Sequence, residues 1–295
     1  MSLPVPIPTP PGYRDTPIWT GNGFAVGGQS IQRILSYQSN YAGWTNELTE
    51  IHEDSGDQYH YINVASREHT AGTLAKWLPG GAPSIIDIGC SSGYMIRLLR
   101  QRLPAATVLA ADCVRGPLEK LANAVPDVPL LEFDLVQCPL PDQCVDGVVL
   151  LNVLEHVKED AAALHQVHRI LKKGGVAVIE LPAGPDLYDI YDQELMHFRR
   201  YRMADVVRLC EQTGFEILER SHLGFFLYPA FRLVKKKNQK YLNASPEIRR
   251  AIVARNMRQG ANHALLHTLM RVEALLRKWI YFPFGIRCLV TCRRR

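Results

Sequence analysis

The stretch that most constrains this chain is residues 84–94, which read Ser-Ile-Ile-Asp-Ile-Gly-Cys-Ser-Ser-Gly-Tyr. Three isoleucines in residues 84–88 form a short branched apolar run of the kind that fills the middle of a parallel sheet. Gly89 and Gly93 bracket a tight loop where the missing Cβ atoms let a ligand approach the backbone. A helix is predicted for residues 94–102, and its free N–H groups would point at the same space. The stretch therefore predicts a strand, a glycine turn and a helix that hold a nucleotide-like ligand.

A second strand is predicted for Ala106–Ala111 and stops at Asp112, 19 residues beyond the second glycine of the turn. In doubly wound folds a carboxylate at this position holds the ribose hydroxyls of a nucleoside. Ser91 stands where the dinucleotide fingerprint G-x-G-x-x-G has its middle glycine, so a pyrophosphate is not the expected ligand. Asp87, at the end of the first strand, can accept hydrogen bonds from loop amides or from a cationic group of the ligand.

Two more strands are predicted, Val128–Phe133 and Val145–Leu151. Ligands of open parallel sheets bind outside the carboxyl ends of the strands. The polar residues at the four strand ends are Asp87, Asp112, Asp134 and Asn152. We therefore expect these four side chains to converge on one crevice.

Three motifs resemble a known family. The pattern Asp-x-Gly-x-x-x-Gly at residues 87–93 resembles the first motif of class I S-adenosylmethionine-dependent methyltransferases. The segments LNVLEHV (151–157) and ILKKGGVAVIELP (170–182) resemble the superfamily group that includes the ubiquinone-pathway O-methyltransferases, the type 11/23 group. The resemblance spans about Ala65 to Leu223.

The resemblance implies an α/β fold, a Rossmann-like doubly wound sheet of seven strands. Strand seven would run antiparallel between strands five and six, and Arg287–Cys292 is the candidate for it. Strands five and six are predicted for Val176–Leu181 and Glu216–Ser221. Five regions follow: an extended arm (1–30), an N-terminal helical cap (31–64), the S-adenosylmethionine-binding core (65–223), a helical insertion or lid (224–285), and the final strand with a basic tail (286–295).

The first two regions differ in composition. Residues 1–30 are rich in proline and glycine, which favours an extended or partly disordered arm. Apolar spacing in residues 30–51 predicts short amphipathic helices. By resemblance, Trp44, His52 and His60 are candidate substrate contacts, and the alternative is that each is an ordinary packed or solvated side chain.

The resemblance also implies which residues hold S-adenosyl-L-methionine. Asp134 would accept a hydrogen bond from the adenine amino group while Phe133 or Leu135 packs on the ring. The alternative for Asp134 is a carboxylate that caps the next turn. The complete predicted set for cofactor binding is Asp87, Gly89, Cys90, Ser91, Gly93, Asp112, Cys113, Phe133, Asp134, Leu135 and Asn152.

S-adenosylmethionine brings its own reactive sulfonium, so the protein mainly has to hold donor and acceptor in line. An oxygen acceptor still needs a base. His156 is the leading candidate for this base because imidazole titrates near neutral pH. A structural hydrogen bond in the Glu155–His156 pair is the alternative. His197 and Tyr201, from the loop after strand five, are further catalytic candidates. The candidates for acceptor binding are Glu155, Tyr191 and Arg199.

Some relatives of this type bind a divalent cation through a Glu-x-x-Glu-His cluster and another histidine. Here Asn152 stands at the first glutamate, which removes one anionic ligand. Glu155, His156 and His197 remain and could hold Mg²⁺ weakly. We nevertheless expect no metal.

The predicted function is methylation of a small molecule, at oxygen, on a metabolite, sugar or lipid-linked intermediate. One alternative is an RNA or tRNA methyltransferase, favoured by the basic insertion and the tail 293–295, although no aromatic-basic RNA-binding module is recognisable. We expect no nucleic-acid partner. The other alternative is a non-catalytic cofactor-binding partner subunit.

The predicted insertion opens with an aromatic run at 225–231, followed by the lysines at 235–237. Such a sequence fits a lid over an apolar substrate, a peripheral membrane or lipid contact through residues 224–240, or a homodimer contact. The formal net charge of +5 permits an anionic partner without demanding one. Seven cysteines without a C-x-x-C pair indicate reduced thiols and no zinc. Without a long apolar stretch or a signal-peptide pattern, we expect a cytoplasmic protein.

Overall fold

The computed structural model describes residues 3–28, 31–38, 59–259 and 264–295, with the backbone alone for 254–259. The strands in these ranges are β1 (Ile18–Trp19), β2 (Phe24–Ala25), β3 (Ile34–Ser36), β4 (Ser84–Ile88), β5 (Thr107–Asp112), β6 (Leu130–Glu132), β7 (Val145–Leu151), β8 (Leu171–Pro182), β9 (Phe215–Leu223) and β10 (Arg287–Arg294). The helices are α1 (Tyr61–Trp77), α2 (Tyr94–Arg102), α3 (Arg115–Ala124), α4 (Asp160–Ile170), α5 (Ile190–Glu194), α6 (Met203–Gln212), α7 (Tyr228–Asn238), α8 (Pro246–Gln259) and α9 (Ala264–Leu276).

The centre of the described chain is an eight-stranded sheet in the order β3-β6-β5-β4-β7-β8-β10-β9. Every neighbouring pair from β3 to β8 is parallel. β10 runs antiparallel to both of its neighbours, with Leu289 opposite Glu180 of β8 and Ser221 of β9. The predicted doubly wound fold, with its last strand inserted antiparallel between the two preceding ones, is confirmed.

Side chains along the central strands alternate between two hydrophobic cores, one on each face of the sheet. Ile86 and Leu109 belong to one core, and Ile85 and Val108 belong to the other. This period-two alternation follows from the pleat of a strand. Both faces are covered, as a parallel sheet requires.

The sheet has one strand more than predicted. β3 lies in the segment predicted as amphipathic helices and pairs parallel with β6. Its Ile34 and Leu35 are both buried, one in each core, so the two neighbours point to opposite faces of the sheet. Three residues are too few for a period to show in the sequence. Trp44 and His52 lie outside the described residues.

The N-terminal arm packs more tightly than the predicted extended or partly disordered segment. β1 and β2 pair as a small antiparallel sheet. Trp19 and Phe24 are buried with ring centroids 4.9 Å apart. Val5 and Ile7 are buried in the same core as Ile86 of β4. Hydrophobic residues spaced among the prolines therefore hold the arm on one face of the sheet.

Three helices, α7, α8 and α9, lie between β9 and β10. The sequence predicts a long helical segment over Pro246–Trp279, and the structure has α8 and α9 there, with residues 260–263 outside the described ranges. α9 packs on α1, where the buried Met270 meets Ile62 in a small apolar cluster. None of the described helices combines the length and the hydropathy that crossing a membrane would take.

Candidate active site

A cavity of about 820 Å³ lies at the carboxyl ends of β4 to β8. The residues at the four strand ends, Asp87, Asp112, Asp134 and Asn152, all line it. The other residues predicted for cofactor binding that line it are Gly89, Cys90, Ser91, Cys113, Phe133 and Leu135. Glu155, His156, Tyr191 and His197 line it as well, so the structure brings most residues of both predicted sets to one space.

The glycine turn after β4 is tied to the end of β5. The Ser91 N–H donates to Asp112 Oδ2 at 3.0 Å, and the Val114 N–H donates to Asp112 Oδ1 at 3.0 Å. Gly89 has φ +77°, a left-handed conformation that favours glycine, and a Cβ there would lie 2.6 Å from Val153 Cγ2. Asp112 thus fixes the turn, and only glycine fits at its first position.

Gly93 does not line the cavity, so its part in cofactor binding stays a prediction. Its φ is +72°, and a Cβ would lie 2.3 Å from Leu121 Cδ1. Gly93 precedes α2, and Leu121 lies on α3. This glycine therefore allows the two helices to pack closely.

Two buried carboxyl groups form the end of the cavity nearest the glycine turn. Burial, with a smaller contribution from Asp112, raises the pKa of Asp87 to about 7. Burial also raises the pKa of Asp112 to about 6. Asp87 Oδ2 has no hydrogen-bond partner among the residues that the structure describes. An orphaned buried carboxyl in a cavity fits the ammonium of a methionine group, so this end is suited to S-adenosylmethionine.

The neighbouring wall is apolar. The Phe133 and Leu135 side chains are buried and line the cavity, as stacking on an adenine ring requires. Asp134 Oδ1 accepts a hydrogen bond from the Val136 N–H at 2.9 Å and caps the 3₁₀ turn Leu135–Gln137. The turn-capping alternative for Asp134 is thus present in the structure, and contact with adenine stays a prediction.

A second group of polar side chains lies near the carboxyl end of β7. Ligand atoms of Glu155, His156 and His197 lie within 4.8 Å of one another, which is close enough to hold a metal ion. The two imidazole rings are 4.7 Å apart between centroids and nearly perpendicular. Neither Glu155 carboxyl oxygen has a hydrogen-bond partner within the described chain, and burial raises the pKa of this group to about 8. Glu155 is therefore largely a neutral acid at pH 7. The absence of a metal stays a prediction.

Asn152 does not join this group. Its φ is +55°, a left-handed conformation in which asparagine is enriched. Its Nδ2 donates to Glu180 Oε1 at 3.2 Å, and Glu180 also pairs with Arg287. The asparagine at this position thus has a structural explanation in its backbone and its contact with β8.

His197 is held by a buried carboxylate. Its Nδ1 lies 2.8 Å from Asp192 Oδ1. Asp192 also accepts hydrogen bonds from Arg200 Nη1 and Lys235 Nζ, at 3.0 Å each. Burial alone would raise the pKa of Asp192, but the hydrogen bond from His197 and the charges of Lys235 and Arg200 hold it well below its usual range. Burial lowers the pKa of His197, although Asp192 opposes this. His197 therefore faces the cavity as a mainly neutral imidazole.

Tyr201 and Arg199, like Gly93, lie outside the cavity lining. The Tyr201 hydroxyl is 2.9 Å from Asp160 Oδ2 and 3.1 Å from the Leu154 carbonyl oxygen. Arg199 binds the same Asp160 carboxylate at 2.6 Å. The structure gives both residues a role in anchoring the segment after β8, and catalysis by Tyr201 and acceptor binding by Arg199 stay predictions.

Sequence reasoning missed several residues of the cavity. Lys235 stands in the lysine run read as a cationic cluster, yet it is buried with Nζ 2.6 Å from Asp189 Oδ1. Phe231, Lys235 and Asn238 all line the cavity. They are spaced by four and three positions, so they share one face of α7. This helical spacing is the one signal in the sequence that points to them.

Comparisons with known proteins agree with this geometry. A family model described as a methyltransferase domain matches residues 86–179. A Mycolicibacterium smegmatis protein named as a probable S-adenosylmethionine-dependent methyltransferase is 29% identical over 144 residues, 48% of this chain and 54% of that protein. The trans-aconitate 2-methyltransferase of an Azoarcus species is 30% identical over 132 residues, 44% of this chain and 52% of that protein. This chain spans about half the length of the curated relatives that it matches.

Solved structures share the fold at low identity. A Mesorhizobium loti S-adenosylmethionine-dependent methyltransferase superposes with a TM-score of 0.51 at 16% identity, covering 76% of this chain and 96% of its own. A Haemonchus contortus phosphoethanolamine N-methyltransferase gives 0.52 at 15% identity, covering 77% and 52%. The Haemonchus contortus structure is a complex with phosphomonomethylethanolamine and S-adenosylhomocysteine. Residues 86–179 thus match a methyltransferase domain, and the strand order and glycine turn of the chain are similar to those of class I S-adenosylmethionine-dependent methyltransferases.

Proposed function

We propose that this protein transfers a methyl group from S-adenosylmethionine to an oxygen atom of a small organic molecule. The proposal rests on one observation. The buried carboxyls at the glycine turn and the Glu155–His156–His197 group line the same cavity. Donor and acceptor bound in such a space would meet without crossing solvent. Holding reactants in line is the main requirement of this reaction.

The donor end would be held by Asp87 at the ammonium, by Asp112 at the ribose and by Phe133 with Leu135 at the adenine. When bound, S-adenosylmethionine supplies a methyl group activated by a sulfonium. Asp112 keeps the turn closed through the Ser91 N–H. The protein's part at this end is to bind and orient.

The acceptor end has the groups that an alcohol or phenol needs. His156 and His197 line the cavity beside Glu155, and His60 lines it as well. Either of the His156 and His197 rings can take the hydroxyl proton as the new carbon–oxygen bond forms. Asp192 fixes the orientation of His197, which favours His197 as a second candidate base beside His156. The neutral Glu155 can donate a hydrogen bond to an acceptor oxygen.

The walls at this end favour a small acceptor. Phe231 and Val234 of α7 and Ile252 of α8 line the cavity, so the helices between β9 and β10 roof it. A volume of about 820 Å³ lies in the range of small-molecule sites and leaves room beside the donor. An RNA duplex would not enter a space of this size.

Two experiments test the proposal. Calorimetry measures binding of S-adenosylhomocysteine, and a second assay measures transfer of radiolabelled methyl groups to a panel of hydroxylated small molecules. We expect binding of one equivalent and transfer to at least one hydroxyl compound. Binding with no transfer to any acceptor would favour a partner subunit that only holds the cofactor. Methyl transfer to bulk RNA, together with salt-dependent retention of the protein on RNA, would favour an RNA methyltransferase.

A further inference from the structure

The loop that follows α9 presents large apolar side chains to solvent. Trp279 is 87% exposed, and Ile280 and Tyr281 are each 50% exposed. Phe282 then turns inward and stacks on Phe225 with ring centroids 4.7 Å apart. Contiguous apolar surface of this kind usually marks a binding face.

This loop sits on a fixed base. The ring of Phe225 also packs against that of Phe284 at 4.6 Å. The buried carboxylate of Glu273, on α9, accepts hydrogen bonds from the Gly224 N–H at 2.7 Å and the Phe226 N–H at 3.3 Å. The turn after β9 and the loop after α9 therefore form one preorganised unit. We call residues 224–228 and 277–284 the aromatic knob.

A basic segment follows the first part of the knob in the sequence. Residues 225–241 contain five lysines and arginines and no aspartate or glutamate. Arg232, Lys240 and Lys278 are exposed. Basic side chains beside exposed tryptophan and tyrosine suit the headgroup layer of an anionic bilayer, where the rings sit at the interface and the cations meet the lipid charge. Two copies of the chain would instead bring like charges together across this face.

The knob also lies close to the cavity. The Tyr228 ring, at the start of α7, packs against Phe284 of the knob at 5.1 Å. Val234 lines the cavity and is half exposed, so it lies at the mouth. The six steps along α7 from Tyr228 to Val234 span roughly 9 Å. A partner surface that binds the aromatic knob would therefore lie near the mouth of the cavity.

We propose that the aromatic knob is a peripheral membrane anchor that docks on an anionic lipid bilayer, with Trp279 and Ile280 entering the headgroup region. An isoleucine beside the tryptophan fits lipid better than a nucleic acid, since stacking on bases uses aromatic rings. Docking in this way holds the cavity mouth beside the bilayer, where an amphiphilic acceptor would be available.

The test uses the full chain and sedimentation with vesicles of phosphatidylcholine alone or mixed equally with phosphatidylglycerol. We expect at least tenfold stronger partition onto the mixed vesicles at low salt, and loss of this preference at 1 M salt, where the Debye length falls to about 3 Å. The double variant Trp279→Ser/Ile280→Ser should bind the mixed vesicles at least tenfold more weakly. The variant Arg232→Glu/Lys240→Glu should lose the preference for anionic lipid.

Ile18→Ser is the matched control, because Ile18 is 69% exposed on β1, outside the knob. It should keep full vesicle binding, and all variants should bind S-adenosylhomocysteine like the wild type, which shows that they fold. The proposal is overturned if the wild type fails to bind mixed vesicles or if the Trp279→Ser/Ile280→Ser protein binds them equally well. It is also overturned if the Trp279→Ser/Ile280→Ser variant changes the oligomeric state in sedimentation velocity and leaves vesicle binding unchanged. Binding of the wild-type protein to RNA but not to vesicles would overturn it too.

Discussion

Asp192 and His197 form a buried carboxylate–imidazole pair, with Oδ1 of the first 2.8 Å from Nδ1 of the second. The pair fixes the imidazole ring and leaves Nε2 for the cavity that His197 lines. Asp192 lies at the start of the short helix α5, so a local turn positions the ring. A rigid imidazole in this position is suited to accept a proton from an acceptor hydroxyl.

The first prediction concerns this pair. His197→Gln should lower kcat for methyl transfer by about 10²-fold if His197 is the base, the low end of general-base contributions. His156→Gln should be the more damaging variant if His156 is the base. S-adenosylhomocysteine affinity, measured by calorimetry, should stay within about twofold in both. His165→Gln, on α4, is the control. Full activity in both active-site variants would remove both histidines from the proposed chemistry.

The second prediction is a pH dependence of cofactor binding. The pKa of Asp87 is about 7 in the fold and 3.8 ordinarily. The folded chain therefore holds a proton that the unfolded chain loses, so the free energy of unfolding of the unliganded protein should fall as pH rises from about 4 to about 7. The ligand's ammonium pairs with the ionised form, so affinity for S-adenosylhomocysteine should rise from pH 6 to pH 8.

Calorimetry at several pH values with wild type and Asp87→Asn checks this dependence. The variant should bind more weakly at pH 8 and show a flatter profile. A wild-type affinity that stayed constant from pH 6 to pH 8 would separate Asp87 from the ligand's charge.

The third prediction separates close approach from backbone strain in the glycine turn. Gly89→Ala and Gly81→Ala both place a side chain at positive φ, at +77° and +109°. A Cβ at Gly81 meets nothing within 4 Å, whereas at Gly89 it would lie 2.6 Å from Val153 Cγ2. Both should lose about 1–3 kcal/mol of stability from strain. Only Gly89→Ala should also weaken S-adenosylhomocysteine binding, and equal affinities in the two variants would show that the turn does not contact the ligand.

The fourth prediction uses two adjacent lysines. Lys235 is buried between Asp189 and Asp192, whereas Lys236 is exposed. Lys235→Met leaves the buried Asp189 without its cation and Asp192 with Arg200 alone, and should lower the free energy of unfolding in urea by about 3–5 kcal/mol. Lys236→Met should change it by less than about 0.5 kcal/mol. Equal, small effects would contradict the buried ion pairs that join α7 to α5.

The fifth prediction follows from the contacts of Tyr201. Its hydroxyl meets Asp160 and the Leu154 carbonyl, away from the cavity lining. Tyr201→Phe should therefore keep kcat within about twofold while it lowers stability by about 1–3 kcal/mol, because buried acceptors lose their donor. A large loss of kcat in a stably folded variant would return Tyr201 to the catalytic group.

The parts of the fold that depend on local sequence were predictable. β7 and α2 have the predicted bounds, because apolar periodicity and the glycine turn are read within a few residues. β3 was not predictable, since a three-residue strand becomes visible only when β6 is beside it. The packed arm, with Val5 and Ile7 in the core, was missed for the same reason.

The candidate site likewise has residues that could be predicted from the sequence and residues that could not. The strand-end residues Asp87 and Asp112 follow from topology, because parallel strands end at one edge. The contacts of Lys235 with Asp189 and Asp192 join residues more than 40 positions apart. A lysine run looks like a solvated face until the tertiary fold buries one member of it.

A crystal structure of the protein with S-adenosylhomocysteine tests the central claim most directly. We expect the ligand's ammonium at Asp87, its ribose at Asp112 and its adenine against Phe133 or Leu135, with the sulfur facing the Glu155–His156–His197 group across open space. A ligand bound elsewhere, or one whose sulfur points away from these three residues, would contradict the claim that donor and acceptor share this cavity.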